Sequence, residues 1–349
     1  MSESPLTVIL VLGACPPERR TIARQIAGSA SALVTIERPM GVDGIGTLVD
    51  EAIDALLARA FLDPSPSPRR LVLDCGTTVQ PVDAVGAVLA RAPEVRLDAV
   101  VTAVDASHIL QDLDDDRWIG HSADDTIVYT SRAAIVMEQI EYADTIAVTG
   151  RQGVEHGRLA VLLALLSHLN PTALVRLADA RRPSRYTDSP FDVDRFSGSP
   201  GWVSKINGEH TPWIEHPRVS TMLFESARPM HPERLLALFD GPIESRRFGR
   251  IVRTSGFCRL ASRSTQVGLL QQVGTMLELE PTSFSSADPG APLGQELVFT
   301  GIDVDQPALI AALHDCTLTD AELTADPVTW AGYPDAFTLW LEPLASDQD

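Results

Sequence analysis

Leu6-Thr-Val-Ile-Leu-Val-Leu-Gly13, followed directly by Ala14-Cys-Pro-Pro-Glu-Arg-Arg-Thr21, is the stretch that decides the fold of this 349-residue chain. A nearly continuous apolar run of that length, rich in β-branched residues, reads as a strand buried on both faces. The spacing beyond it predicts a helix over 22–30. Strand, loop, helix is where a phosphate-binding loop sits, closing backbone N–H groups and a lysine on the phosphates. Against G-x-x-x-x-G-K-[ST], Gly13 fits the first position, but Glu18 stands for the second glycine, Arg19 for the lysine and Arg20 for the hydroxyl. The chain's single lysine, Lys205, lies far away in sequence.

These substitutions remove the chemistry of the loop. Pro16 and Pro17 have no N–H to donate. Glu18 places negative charge where phosphate would lie, and Arg20 offers magnesium no oxygen. A shift of one residue makes Arg20 the cation and Thr21 the hydroxyl, yet supplies neither glycine. Charge-assisted hydrogen bonds contribute about 1.5–3 kcal/mol each. Losing about three turns a micromolar site into a millimolar or weaker one. Gly13, Glu18, Arg19, Arg20 and Thr21 are therefore expected to be the vestige of a nucleotide loop, with no catalytic residue and no cofactor.

Working outward, strands are expected at 31–37, 71–74, 97–104 and 145–149, alternating with helices over 45–61, 82–92, 128–143 and 154–169. Such alternation means an α/β unit with a P-loop-like parallel sheet covered by helices. From Asp179 to Pro217 breakers replace periodicity, as in Ser197-Gly-Ser-Pro-Gly201. A smaller α+β unit begins near Val219, with strands at 219–225, 250–260 and 295–302 and helices at 232–239 and 306–313. The expected organisation is 1–180, a linker over 181–217, and 218–349.

Composition narrows the partners. A formal net charge of −19 repels nucleic acid and anionic membranes, so any RNA-rich partner has to be met through its proteins. Cys15, Cys75, Cys258 and Cys316 show no C-x-x-C spacing, a reduced, cytoplasmic pattern. Leu12-Gly-Ala-Cys15 mimics a lipoprotein box, but residues 1–7 carry Glu3 and no basic residue, so export is not expected. The longest apolar run, Leu159 to Leu166, is too short to span a membrane.

Several segments, in order, resemble the CobW-like (G3E) GTPases and zinc metallochaperones. Glu138-Gln-Ile-Glu-Tyr-Ala-Asp144 is similar to that family's E-Q-I-E-F-A-D helix end, and Leu97-Asp-Ala-Val-Val-Thr-Ala-Val-Asp-Ala106 to its L-D-x-V-V-x-V-V-D-A strand. Asn170-Pro171 matches its N-P. Arg228-Pro-Met-His-Pro-Glu-Arg234, Arg253-Thr-Ser-Gly-Phe257 and Glu296-Leu-Val-Phe-Thr-Gly-Ile302 resemble its C-terminal domain. The departures are as ordered as the matches. The family's E-[ST]-[ST]-G-x-A-x-P stands as Asp74-Cys-Gly-Thr-Thr-Val-Gln-Pro81. Its guanine-reading N-K-x-D is Thr149-Gly-Arg-Gln152, and no cysteine of its C-x-C-C metal motif lies between Ile36 and Leu57. The resemblance extends to degenerate actinobacterial members that include the recruitment factor for a ribosome hibernation factor. It implies a non-catalytic pseudo-GTPase adaptor whose partners are that hibernation factor and ribosomal proteins of the small subunit, acting under zinc limitation. The alternative it implies is a zinc metallochaperone or metal-responsive protein with weak residual nucleotide binding.

Other candidate residues have plainer readings beside their functional ones. Cys15 and Cys75 end neighbouring strands of a P-loop sheet and, with Asp74, form a candidate zinc site, although two small semi-buried residues explain them more simply. His210 and His216 read as loop residues. Arg19 and Arg20 fit an anion site or local ion pairs. His231 before Pro232 reads as a helix cap, with Arg228 and Arg234 as salt-bridge or partner-facing residues. Asp112-Leu-Asp-Asp-Asp116 and Asp124-Asp125 lack calcium-loop spacing and read as a solvated acidic stretch.

Overall fold

The structure is a computed structural model, and it describes residues 5–29, 31–36, 44–62, 70–123, 126–178, 191–285 and 287–337. The chain forms two units, Met1–Pro217 and Arg218–Asp349. In the first, β1 (Leu6–Leu12), α1 (Pro16–Ala27), β2 (Ala32–Ile36), α2 (Ile45–Leu62), β3 (Arg70–Cys75), α3 (Pro81–Leu89) and β4 (Val95–Asp105) follow in order. Next come α4 (Ile109–Asp112), the hairpin β5 (Trp118–Ala123) and β6 (Thr126–Ser131), α5 (Arg132–Glu141), β7 (Thr145–Thr149), α6 (His156–Leu169) and β8 (Leu174–Leu177). Six strands make one parallel sheet in the order β2-β3-β1-β4-β7-β8. β1 lies at its centre between β3 and β4, so the loops leaving the carboxyl ends of β1, β3 and β4 share one rim. Both faces are covered: Val8, Leu10 and Leu12 pack on α2 and α3, while Ile9 and Val11 pack on Ile22 and Ala23 of α1. Alternation along a strand requires opposite neighbours for odd and even residues.

Four differences from the sequence expectations have local causes. Helix α1 begins at Pro16, six residues before Ile22, because proline suits the first helical turn, where no N–H is needed. Thr126-Ile-Val-Tyr-Thr-Ser131 is a strand, and the helix expected from 128 starts only at Arg132, where Ser131 Oγ accepts from Ala134 N–H at 3.0 Å. Residues 191–217 belong to the first unit rather than to a linker. They carry α7 (Val193–Gly198) and α8 (Gly201–Ile206), Phe196 enters the α2/α3 core, and Arg195 pairs with Asp144. Residues 179–190 of the expected linker lie outside the described residues, as do Asp124 and Asp125.

The fourth difference lies in the second unit, which is larger in strands than expected. β9 (Val219–Ser226), α9 (Pro232–Leu238), β10 (Arg250–Cys258), β11 (Gln266–Val273), β12 (Met276–Ser285) and β13 (Gln295–Ile302) give an antiparallel sheet in the order β12-β11-β10-β13-β9. Helix α10 (Gln306–Cys316) and the short α11 (Asp320–Leu323) and α12 (Pro327–Ala331) complete it. Leu235, Leu309 and Leu313 from the helices meet Phe224, Leu297 and Phe299 from the sheet in one core. Strand β12 escaped the sequence reading because most of it is exposed or only partly covered, and β11, although largely buried, carries a glutamine, Gln272, on its inward face. Among the described residues no helix is long and apolar enough to cross a membrane.

Candidate functional site

The rim above β1, β3 and β4 is where the sequence placed a vestigial nucleotide loop. Only Gly13, Ala14 and Cys15 separate β1 from α1. Gly13 has φ of +145°, and a Cβ there would sit 2.4 Å from the Ala103 carbonyl oxygen, so only glycine lets β1 leave the sheet this close to β4. A helix start normally offers four free N–H groups. In α1, Pro16 and Pro17 lack theirs, and the Arg19 N–H donates to Cys15 O at 3.0 Å. The four positions run from the capping Cys15 to Glu18, and Arg19 makes the first intrahelical bond, which leaves the amides of Cys15 and Glu18.

Arg19 turns inward rather than towards solvent and is 1% exposed. Its Nε donates to Asp74 Oδ1 at 2.5 Å and its Nη1 to Gly13 O at 3.0 Å, spanning the end of β3 and the start of the loop. Thr35 Oγ1 donates to the other oxygen of Asp74 at 3.3 Å, and Arg20 Nε lies 3.9 Å from it. Thr21 Oγ1 donates back along its own helix to Pro17 O at 2.7 Å. Cation, hydroxyl and strand-end acid are thus engaged with one another or with backbone.

The stretch expected to be a vestigial guanine motif, Thr149 to Gln152, is engaged at its first two residues. Thr149 Oγ1 donates to Val104 O at 3.1 Å, and Gln152 is exposed in a turn of 3₁₀ helix. Gly150 has φ of +64°, and a Cβ on it would lie 2.0 Å from Asp105 Oδ1. The Asp105 carboxylate fills the space where a side chain at 150 would begin.

Cys15 and Cys75 do not form one site. Cys75 is fully buried in the α2/α3 core, with its Sγ donating to Leu73 O at 3.6 Å, and burial pushes its thiol up to about 12. Asp74, the third member of that expected site, is held by Arg19. Cys15 meets His108 and Asp112 instead, one ligand atom of each lying within 4.8 Å of the others. Its Sγ is 3.8 Å from His108 Nδ1, 3.5 Å from Nε2 and 3.9 Å from Asp112 Oδ2. His108 Nδ1 and Asp112 Oδ2 are 2.8 Å apart, and Nε2 faces Asp105 Oδ2 at 3.7 Å. Burial first, then the charges of Asp112, Glu18 and Asp105, raise the Cys15 thiol to about 12 against the opposing pull of Arg132. Arg132 also reaches Asp112 Oδ1 at 3.7 Å and Asp115 at 3.3 Å, so the expected solvated acidic stretch is partly tied down.

His108 was not singled out in the sequence, and its signal is topological. β4 neighbours β1, so the residue three positions beyond the end of β4 lies over the loop that ends β1. The other expected candidates have structural partners. His210 contacts the His168 carbonyl through Nε2 at 3.0 Å, and neither it nor His216 joins a group of three metal-ligand atoms among the described residues. Arg228 pairs with Asp320 at 2.6 Å and Arg234 with Glu322 at 2.8 Å, which holds the Glu322 carboxyl down at about 2. His231 begins α9 and stacks on Tyr333 with centroids 4.6 Å apart.

With this geometry in place, comparison with known proteins gives the chain its context. Residues 219–317 match the cobalamin synthesis protein cobW C-terminal domain. That match defines the second unit, and a parallel sheet flanked by helices precedes it. The chain is 26% identical over 281 residues to the zinc-regulated GTPase metalloprotein activator 1 of Dictyostelium discoideum, covering 73% of this chain and 57% of that protein. It is 28% identical over 280 residues to a zinc chaperone of Mycobacterium tuberculosis, covering 71% of this chain and 63% of that protein. The chain thus spans about 57–63% of the length of the curated relatives it matches. The crystal structure of the Zn(II)-bound YjiA GTPase from E. coli aligns with 90% of this chain and 99% of its own at 15% identity, with a TM-score of 0.38, too low to carry an argument.

Proposed function

We propose that this protein handles zinc on a scaffold that neither binds nor hydrolyses GTP. The observation that carries the nucleotide half is Arg19. In place of a lysine aimed at phosphate, a buried guanidinium is fixed to Asp74 and Gly13 O inside the rim. A nucleotide entering there has to break that pair and would find two of the four usual amides at the helix start replaced by proline. The zinc half is supported by the roles in the names of two relatives, a zinc-regulated GTPase metalloprotein activator and a zinc chaperone. Calorimetry with GTP and magnesium at millimolar concentration tests the first half. No saturable heat is expected, and a fitted one-site isotherm would overturn it.

Within this reading, the role implied by the sequence resemblance is that of a cytoplasmic adaptor bringing a hibernation factor to the ribosome under zinc limitation. The net charge of −19 supports contact through basic ribosomal proteins rather than through RNA. Co-sedimentation with ribosomes, with and without the hibernation factor, tests it. Absence from the ribosomal fraction in both cases removes the adaptor role and leaves the zinc reading standing.

A further inference from the structure

We propose that Cys15 Sγ, His108 Nδ1 and Asp112 Oδ2 form a three-ligand site for a divalent cation of the zinc class, built across the rim where the phosphate loop would lie. This deepens the zinc half of the proposed function by giving it a location unrelated to a C-x-C-C motif.

The geometry carries it. The three atoms form a triangle with sides of 2.8, 3.8 and 3.9 Å. Its corners lie on a circle of about 2.1 Å radius, and zinc takes about 2.0–2.3 Å to nitrogen, oxygen and sulfur. A cation therefore fits near the centre once the N–O edge widens by about half an ångström. Sulfur, imidazole and carboxylate together favour zinc, cobalt or nickel over magnesium or calcium.

The surroundings complete the arrangement. With Nδ1 on the metal, the other ring nitrogen lies 3.7 Å from Asp105 Oδ2, so a small turn of the ring brings it to the carboxylate partner that orients a ligating histidine. Asp105 is itself fixed, because its Oδ1 accepts from Ser107 N–H at 2.7 Å. Arg132 sits by the second oxygen of Asp112, leaving Oδ2 for the cation. A cavity of about 10 Å³ lies among Ala14, Cys15, Asp105, Asp112 and Gln139, and the Oε1 of the fully buried Gln139 has no hydrogen-bond partner. That volume is about one water. The His108 side chain is 38% exposed, which leaves the cation a route to solvent. Three protein ligands and an exposed edge describe a site that loads and releases its ion.

The test uses the whole chain and the metal alone. Zinc titrated in competition with a chromophoric chelator is expected to bind one ion per chain. Cys15→Ser and His108→Gln should each weaken it by more than the ~10–100-fold that loss of an outer partner costs. Cys75→Ser should bind as wild type. Cobalt(II) should give a thiolate charge-transfer band in the near ultraviolet for wild type and Cys75→Ser but not for Cys15→Ser. Circular dichroism of the metal-free variants separates ligand loss from misfolding. No thiolate band in wild type, or undiminished zinc affinity in Cys15→Ser or His108→Gln, overturns the site. Undiminished one-to-one binding in those variants would leave zinc handling intact elsewhere on the chain, and saturable GTP binding would sink the nucleotide half of the function without touching this site.

Discussion

Replacing Arg19 by Met is the sharpest perturbation of this protein, because it removes the cation from a pair that has almost no contact with water. Asp74 is also 1% exposed, and its carboxylate would be left with Thr35 Oγ1 at 3.3 Å and the more distant Arg20 at 3.9 Å. Stranding one member of a buried ion pair costs about 3–5 kcal/mol. For a unit of this size that corresponds to a fall of roughly 6–20 °C in melting temperature. Arg20 is half exposed and on the same helix, so any relief it gives places the cost at the lower end. The double variant Arg19→Met/Asp74→Leu removes both charges and should recover most of the loss, since apolar replacement of a whole buried pair is often neutral or stabilising. Thermal unfolding measures the total, and hydrogen exchange at the β1 and β3 amides assigns it to the first unit. A cost below about 1 kcal/mol for Arg19→Met would show that the guanidinium is an exposed surface group. The reading of a filled rim would then fail.

Three further outcomes are expected. Asn170→Ala should destabilise by about 2–4 kcal/mol in urea titration, because the two N–H groups of Asn170 Nδ2 are shared among the carbonyls of Ile140, Glu141 and Ala143 at 2.8–3.0 Å and each buried orphan is costly. Burial first, then His210 and Lys205, lowers the His168 pKa from 6.5 to about 4, so the unfolded chain takes up this proton before the folded one does. Stability from this group is present above pH 6.5 and lost as pH falls towards 4, by up to roughly 3 kcal/mol, and stability measured across that window should fall less steeply in His168→Asn. Gly150→Ala should cost about 1–3 kcal/mol in chemical denaturation, since it puts a side chain at φ +64° and against Asp105. A full cost below 0.5 kcal/mol would contradict the close approach.

Much of the architecture was written in the sequence, and the parts that were not share a physical reason. The apolar runs of β1, β3 and β4 revealed a parallel sheet because burial on both faces leaves no polar alternation to misread. Retained segments also explain themselves. Asp144 accepts from Val100 N–H at 2.9 Å, Gln139 Nε2 donates to Val79 O at 2.9 Å, and Asn170 gathers the end of α5. These residues clamp backbone, so their role in the fold does not depend on a bound nucleotide. The start of α1 was misplaced because Pro16 and Pro17 were weighed as lost donors rather than as a helix start. Residues 128–131 were absorbed into a helix because a short apolar run does not distinguish strand from helix. The site was only half legible. Cys15 stood out by its place in the loop, but its partner His108 is 93 residues away and is delivered by strand order rather than by spacing.

The brevity of the connection between β1 and α1 has a consequence for how such a chain changes over time. Writing lysine and serine back at 19 and 20 would leave the helix beginning at the same place, with the same prolines and the same amide already spent on Cys15 O. Recovering a phosphate grip demands unwinding a full turn or inserting residues, two kinds of change that single substitutions do not supply. On the proposed reading, opening this rim to a phosphate calls for rebuilding the turn between β1 and α1 as well as exchanging side chains, so ligands other than GTP are the easier occupants to accommodate.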